Sequence, residues 1–356
     1  MTATKLATGA GGAASPAGAR RAGAGRRSAQ PRFWVWRIEV LCLAAVMVMA
    51  VVALSSWPPP AQPSSTPPGV TRARSGLVMS DSFGHAEPVP SLADRYIFDG
   101  SAPSGSGYQA GSPLGLVVGV RPHRGWAGWF AATIHAAGAD VTWHTVMSRP
   151  AGTVTTGIGE TVFAVQTATT QSTGAINYVV VADVSREGRS HWMVGYAHGV
   201  VVDAATQVLW RSPASATAPT SEPVTVQTDG RHRLSVWLGD RLVYSDAHLS
   251  LAMPSPFQAY LEVQGRSVGY AATFRDFWVA QTAPLTVTGL RPGDRARLVD
   301  SGRAVASGVA GGDGRAALTL PPPEESGVAT LVVDGSSGTR SYPALPYAGG
   351  DVLRVG

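Results

Sequence analysis

The sequence predicts an all-β chain with one large two-sheet antiparallel sandwich and a small C-terminal β-sandwich, preceded by one transmembrane helix. From residue 77 onward, short runs rich in Val, Thr and aromatic residues alternate with turn residues such as Gly, Pro and Asp. Few windows in that region show the 3.6-residue period of an amphipathic helix. Before it stands one uninterrupted apolar run, Val40–Leu54. Together these patterns indicate an N-terminal helix followed by β structure.

The N-terminal part combines a basic segment with an apolar one. Residues 1–32 are mostly Ala, Gly, Ser and Arg, which predicts a disordered basic tail in the cytoplasm. Residues 33–57 are predicted to form a transmembrane anchor, with tryptophans at both ends and the arginines on the N-terminal side. This arrangement places the N-terminus in the cytoplasm and the bulk of the chain outside it. A signal peptide cleaved after Ala53 is the alternative, but the long segment before the apolar run favours an anchor.

The charge distribution argues against nucleic acid as a partner. The formal net charge is +5, but residues 1–38 hold seven basic side chains and no acid. Residues 40–356 hold 21 basic and 22 acidic side chains and are therefore nearly neutral. The only cysteine, Cys42, lies within the apolar run. A domain outside the membrane therefore has no disulfide and must be stabilised by its own core.

Residues 58–76 are rich in Pro and Ser and are predicted to be an extended linker. Residues 77–281 contain about a dozen alternating or apolar runs, which fit one large two-sheet sandwich. Gly239 and Asp240 separate two such runs and predict a two-residue hairpin loop. The polar stretch "SREGRS", at 185–190, predicts a longer hairpin.

Residues 285–356 have a different sequence pattern, with six or seven brief apolar runs in about 70 residues. The spacing predicts a small β-sandwich of immunoglobulin or fibronectin type. The Cys and Trp of true immunoglobulin domains are not present in this segment.

Four short motifs carry a resemblance to a known family: "SDSFGHA" at 80–86, "ETVFAVQTA" at 160–168, "HRLSVWLGDRLVYSD" at 232–246 and "TFRDFWV" at 273–279. Together they resemble the concanavalin A-like lectin/glucanase (LamG-like) jelly-roll superfamily. The resemblance implies that the first and last strands of residues 77–281 lie side by side. It also implies that Phe274 and Phe277 both face the core, which requires a bulge at Arg275–Asp276. The tail is similar to immunoglobulin-like or fibronectin-like modules of exported bacterial proteins.

The search for catalytic and metal-binding patterns predicts that the chain is not an enzyme. Glycosidases with this fold place paired carboxylates on one strand, and the pattern Glu-x-Asp-x-x-Glu does not occur. The histidines show no metal-ligand spacing. Asp99 beside Gly100 supplies one carboxylate for a structural Ca²⁺, which is too little to predict a site. We therefore expect neither metal nor cofactor.

Aromatic residues are the remaining candidates for function, because sugar rings stack their apolar faces on aromatic planes. Trp126 and Trp129 lie three apart in "GWAGWF" and should face opposite sides of a strand, so that one of them is exposed. Trp192 and Trp278 are the other candidates for ligand binding. The alternative is that these tryptophans fill a large core.

The sequence thus predicts a membrane-anchored, extracytoplasmic, non-catalytic protein that binds or organises carbohydrate. Its partner would be a polysaccharide or another cell-envelope component, with the membrane contacted through residues 33–57. Two alternatives remain open. One is a protein-interaction scaffold of the envelope without glycan binding, and the other is a divergent glycan-active enzyme.

Overall fold

The computed structural model describes residues 66–83, 92–102, 104–150, 154–168, 175–200, 206–251, 253 and 255–356. The predicted cytoplasmic tail, the predicted anchor at 33–57 and the first part of the predicted linker lie outside these residues. Within the described ranges, no helix is both long and apolar enough to cross a membrane.

The larger part of the chain is an antiparallel β-sandwich of two sheets. One sheet has seven strands in the order β11-β10-β9-β8-β15-β6-β3. Their bounds are β3 Tyr96–Asp99, β6 Trp126–Thr133, β8 Ile158–Thr167, β9 Ala175–Arg186, β10 Arg189–Val200, β11 Thr206–Arg211 and β15 Phe257–Arg266. All of its strand pairs are antiparallel.

The facing sheet has eight strands, with the path β14-β13-β12-β7-β16-β5-β4 and with β2 paired to β16. Their bounds are β2 Leu77–Asp81, β4 Gly107–Ser112, β5 Gly115–Val120, β7 Val141–Ser148, β12 Ser221–Thr228, β13 Leu234–Leu238, β14 Arg241–Asp246 and β16 Tyr270–Gln281. One apolar core lies between the two sheets, and Trp143, Phe163 and Phe274 are among its fully buried members. The predicted all-β sandwich is confirmed.

The closing strand β16 has the predicted irregularity. Its pairing register with β7 shifts between Arg275 and Trp278, and Asp276 has a positive φ of 52°. The shift turns both Phe274 and Phe277 into the core, where they are 0% and 2% exposed. Strand β2 pairs with β16 from Leu77 to Asp81, so the first and last strands of the large sandwich are neighbours as predicted.

Two hairpin predictions have different outcomes. Gly239 and Asp240 connect β13 to β14 as the predicted two-residue loop. The hairpin between β9 and β10 is shorter than predicted, because only Glu187 and Gly188 lie between the paired residues Arg186 and Arg189. Both loop residues have positive φ, at 51° and 74°, which is the geometry of a tight two-residue turn that matches strand twist.

The C-terminal part forms a smaller sandwich with a separate core. Its two four-stranded sheets have the orders β1-β23-β17-β20 and β19-β18-β21-β22. The bounds are β1 Val70–Arg74, β17 Leu285–Thr288, β18 Arg295–Asp300, β19 Arg303–Val309, β20 Arg315–Leu318, β21 Ser326–Gly335, β22 Gly338–Ala348 and β23 Val352–Val355.

Strand β1 lies within residues 58–76, the range predicted to be linker, and corrects that prediction for residues 70–74. It pairs antiparallel with β23, and Val70 is buried in the core of the small sandwich. Asp351 stabilises this arrangement, because its buried carboxylate forms an ion pair with Arg72 at 3.2 Å and accepts from the backbone N–H of Gly76 at 2.7 Å. The strand "VTRAR" buries only Val70 and has no alternating apolar pattern that would reveal it in the sequence.

The small sandwich covers part of the outer surface of the eight-stranded sheet. Trp278 and Ala280 of β16 pack with Ala348 of β22. Nearby, Gln227 of β12 donates from Nε2 to Glu325 Oε1 at 3.3 Å, and Glu325 is 4% exposed. We call these five residues the junction.

Candidate functional site

The surface of the seven-stranded sheet that points away from the core carries an unusual set of side chains. Strand β15 shows why: Phe257, Ala259, Leu261, Val263 and Gly265 are buried, and the residues between them point outward. The same alternation runs through β6, β8, β9 and β10. We call the outward side of these five strands the outer face.

The strand registers arrange the outer face in rows that run across the sheet. The first row, at one end of the strands, is Trp126, Arg266, Ile158, Arg186 and Arg189. The second row is Gly128, Gln264, Glu160, Val184 and His191. The third row is Phe130, Glu262, Val162, Ala182 and Met193. The face therefore changes within three rows from exposed arginines, through a row that contains Glu160, to a row that is apolar apart from Glu262.

Glu262 is a half-buried carboxylic acid in the third row, with Phe130 and Val162 as its neighbours across the strands. Burial raises its pKa to about 7, and the Gln264 amide, which donates to Oε1 at 3.0 Å, opposes the shift. Glycine at 128 leaves room for this carboxylate, because a Cβ there would lie 2.9 Å from Glu262 Oε1. A substantial share of Glu262 side chains is therefore protonated near neutral pH.

Glu160 lies on the neighbouring strand β8, diagonally across from Glu262, because Gln264 pairs with Glu160 and Glu262 pairs with Val162. Diagonal neighbours on one face of an antiparallel pair are about 7–8 Å apart at Cα. Burial also raises the pKa of Glu160, and the negative charge of Glu160 adds to the upward shift at Glu262. The structure thus brings together two carboxyl groups that are 102 positions apart in the sequence.

Next to the carboxyl pair lies a small apolar cluster. Val162, Ala164, Val180 and Ala182 are buried there, with Tyr178 and Tyr260 at its border. The Tyr260 ring packs on Phe130 with 5.0 Å between centroids, and its hydroxyl accepts from Gln166 Nε2 at 3.3 Å. Burial, aided by Glu262 and Asp99, raises the pKa of Tyr260 to about 12. The apolar surroundings explain why both carboxyl groups resist ionisation.

Of the four tryptophans predicted to bind ligand, Trp126 is the one with a largely exposed ring. It is 48% exposed, and the guanidinium carbon of Arg266 lies 5.9 Å from its ring centroid. Trp129 faces the other way, as the spacing predicts, and is half-buried against the core. Its Nε1 donates to Gln109 Oε1 at 2.9 Å, and its ring occupies the space beside Gly107.

The other two predicted tryptophans have no ring surface available for stacking a sugar. Trp192 points inward from β10 and belongs to the core, with 7% exposure. Trp278 does point away from the core of the large sandwich, but Ala348 of the small sandwich packs on it and its exposure is 8%. Its ring stacks on His144 at 4.7 Å with 10° between the planes. Burial lowers the pKa of His144 to about 4, and its Nδ1 lies 2.8 Å from Thr225 Oγ1.

No group of three or more His, Cys, Asp or Glu side chains in the described residues has the geometry to hold a metal ion. Asp99, the single Ca²⁺ candidate, accepts instead from the backbone N–H of Gly100 at 2.7 Å.

No protein-family model matches the sequence, and no curated protein is significantly similar to it. Among solved structures, the catalytic domain of an endo-1,3-β-glucanase (laminarinase) from Thermotoga petrophila is similar at 11% identity and a TM-score of 0.43, covering 58% of this chain and 97% of that one. An endo-β-1,3-glucanase from Pyrococcus furiosus is similar at 9% identity and a TM-score of 0.43, covering 60% and 98%. A carbohydrate-binding module from Bacillus subtilis is similar at 15% identity and a TM-score of 0.33, covering 53% and 98%.

These comparisons correct the prediction that the chain is not an enzyme. Endo-β-1,3-glucanases and a carbohydrate-binding module both occur among the similar structures. A pattern along a single strand also cannot detect acidic residues that become neighbours across two strands, as Glu160 and Glu262 do.

Neither Glu160 nor Glu262 is among the candidate residues predicted from the sequence. A usable signal exists in "FQAYLEVQGR", where strict alternation puts Tyr260, Glu262, Gln264 and Arg266 on one side of β15. The partner strand that brings Glu160 beside them is set by the sheet order, which local patterns do not contain.

Proposed function

We propose that this chain binds polysaccharide along the outer face of the seven-stranded sheet. The exposed ring of Trp126, in the same row as Arg266 and one row from Gln264 and Glu160, carries the proposal. Neighbouring strands are about 4.8 Å apart, so the five strands from β6 to β10 span about 19 Å. An extended oligosaccharide fits along a row of this length. Its apolar ring face would stack on Trp126, and its hydroxyl groups would meet carboxyl and amide groups.

Replacing the ring of Trp126 tests the proposal directly. The full-length chain would be purified in a non-ionic detergent without a sugar headgroup, and its affinity for a panel of soluble polysaccharides would be measured. Trp126→Ala should lower the affinity about tenfold, the usual loss for a contact aromatic. Leu242→Ala is the matched control, because Leu242 is 51% exposed on the facing sheet. Equal affinities of both variants and the unmodified chain would reject Trp126 as a contact.

A second candidate function is cleavage or transfer of glycosidic bonds by Glu262 and Glu160. The pKa of about 7 favours Glu262 as the proton donor to the leaving oxygen, with Glu160 as the second carboxylate. Incubation of each polysaccharide that binds, followed by analysis of chain length, tests this function. Glu262→Gln and Glu160→Gln should each lower the rate at least 100-fold. Unchanged chain lengths with every bound polysaccharide would leave binding as the function.

We further propose that residues 33–57 anchor the chain in the membrane, with the N-terminus in the cytoplasm and both sandwiches outside. The apolar run and the flanking arginines support this topology. Protease added to intact cells should digest the sandwiches and leave the N-terminal tail intact. Protection of both parts would contradict this topology. We also propose that residues 285–356 form an immunoglobulin-type module.

A further inference from the structure

We infer that the glycan bound on the outer face is anionic, with carboxylate or sulfate groups that meet the first row of the face. This inference rests on the proposed function and specifies its ligand class. The first row contains Arg266 on β15, Arg186 on β9 and Arg189 on β10. Ile158 on β8 lies between Arg266 and Arg186. All three arginines are exposed.

Two of these arginines, Arg186 and Arg266, border a cleft of about 310 Å³ at the end of the sheet. Gly157, Ile158, Arg186, Glu187, Arg266 and Ser267 line it. This volume is at the lower end of the range of ligand pockets, which suits one or two sugar units. The cleft is adjacent to Trp126, since Ser267 donates its backbone N–H to the carbonyl of Gly125 at 2.9 Å.

The charge balance in the cleft favours an anion. Glu187 is the single acid that lines it, and its Oε1 forms an ion pair with Arg186 Nε at 2.9 Å. Arg266, which lines the cleft, and Arg189, which lies in the same row outside the cleft, form no ion pair in the described part of the chain. Two guanidinium groups are thus available for carboxylate or sulfate oxygens, which a guanidinium can bind through two parallel hydrogen bonds.

The two nearby carboxyl groups, Glu160 in the second row and Glu262 in the third, are compatible with the same ligand. Two ionised carboxylates beside the arginines would repel an acidic sugar, but burial raises the pKa of Glu160 and raises that of Glu262 to about 7, which weakens this repulsion. In its protonated form Glu262 is a hydrogen-bond donor as well as an acceptor. Trp126 then supplies the stacking plane beside Arg266, whose charge lies 5.9 Å from the ring centroid.

The experiment compares a polyuronate with a neutral β-glucan as probes for the full-length chain in the same detergent. The polyuronate should bind at least tenfold more tightly at low salt, and its affinity should fall as ionic strength rises. The triple variant Arg266→Gln, Arg186→Gln, Arg189→Gln should lose about tenfold in polyuronate affinity and less than twofold in β-glucan affinity. The triple Arg→Lys variant should keep the salt dependence, because it keeps the charge.

Three arginines outside the outer face provide the matched control. Arg231→Gln, Arg241→Gln and Arg275→Gln together should leave both affinities unchanged, since these side chains lie on or beside the facing sheet and are exposed. Equal affinity for the two probes, or equal losses in both triple Gln variants, would overturn the assignment of an anionic ligand while leaving glycan binding intact. Absence of binding to either probe would overturn the proposed function and this inference with it.

Discussion

The large sandwich has two outward surfaces, and each combines aromatic and titratable side chains in a different setting. On the seven-stranded sheet, Trp126 is 48% exposed and Glu262 lies within a graded surface of arginines, carboxyls and apolar residues. On the eight-stranded sheet, Trp278 and His144 stack under the small sandwich, with Trp278 8% exposed. The same residue types are therefore exposed on one surface and buried beneath a second sandwich on the other, and the difference depends on what covers them.

The largest expected effect comes from removing the covered aromatic. Trp278→Ala should lower the free energy of unfolding by about 3–5 kcal/mol, because removal of the buried indole ring leaves a cavity between the two sandwiches. Trp126→Ala should lower it by less than about 0.5 kcal/mol, as is usual for an exposed side chain. Urea unfolding of both variants measures the contrast. Similar losses of unfolding free energy in the two variants would contradict the difference in burial between Trp278 and Trp126.

The next effect concerns the buried acid of the junction. Burial raises the pKa of Glu325 from its ordinary value of 4.5 to about 7. Between pH 4.5 and pH 7 the folded chain therefore keeps a proton on Glu325 that the unfolded chain loses. The free energy of unfolding should therefore fall as pH rises from about 4.5 to 7, by about 2–3 kcal/mol, and stay low above pH 7. Glu325→Gln should remove this decrease. Denaturant unfolding at pH 5 and pH 8 measures it, with Glu187→Gln, on an exposed side chain, as the control.

Glu262 should give a smaller effect of the same sign on the outer face. Its pKa of about 7 lies above the ordinary 4.5, so its contribution to stability is also lost as pH rises through that window. Its partial exposure reduces the expected change to about 1–2 kcal/mol. Glu262→Gln should remove that change and should also alter the pH dependence of glycan binding, which Glu325→Gln should not. An equal influence of both variants on binding would contradict the separation of the two surfaces.

The smallest effect is expected from filling the space beside the Glu262 carboxylate. Gly128→Ala places a methyl group 2.9 Å from Oε1, which the flexible end of Glu262 avoids by rotating. We expect a loss in stability of about 1 kcal/mol or less together with a measurable loss in glycan affinity. Gly312→Ala is the control, because no atom lies within 4 Å of an added Cβ there. Urea unfolding measures the loss in stability, and isothermal titration calorimetry with a polysaccharide that the chain binds measures the loss in affinity.

Local patterns in the sequence predicted the features that local interactions determine. The Gly239–Asp240 loop and the opposite orientation of Trp126 and Trp129 follow from turn chemistry and from the two-residue period of strands. The bulge in β16 was implied by the family resemblance, which placed both Phe274 and Phe277 in the core. Orientation alone did not decide exposure, because Trp278 points outward and is still buried. Its cover comes from a different sandwich, which no local pattern specifies.

The features that sequence reasoning missed depend on long-range pairing. Glu160 and Glu262 become neighbours because β8 lies beside β15. Strand β22 contains Pro343 and Pro346 in "GTRSYPALPYA", and proline is unusual in a strand. Pro343 lies at the register shift between Tyr342 and Leu345, and Pro346 lies in a strand at the edge of the sheet β19-β18-β21-β22, where one row of N–H groups is unpaired.

The pairing of β1 with β23 has a consequence for how the chain is made. On the ribosome, Val70 emerges long before Val355, its partner in the ladder. The large sandwich, which lies between them in the sequence, can fold first, as domains generally do during synthesis. The first sheet of the small sandwich has to wait for the last residues, because β23 lies between β1 and β17. A nascent or prematurely terminated chain therefore presents two unpaired strand edges, the kind of surface that chaperones and proteases recognise.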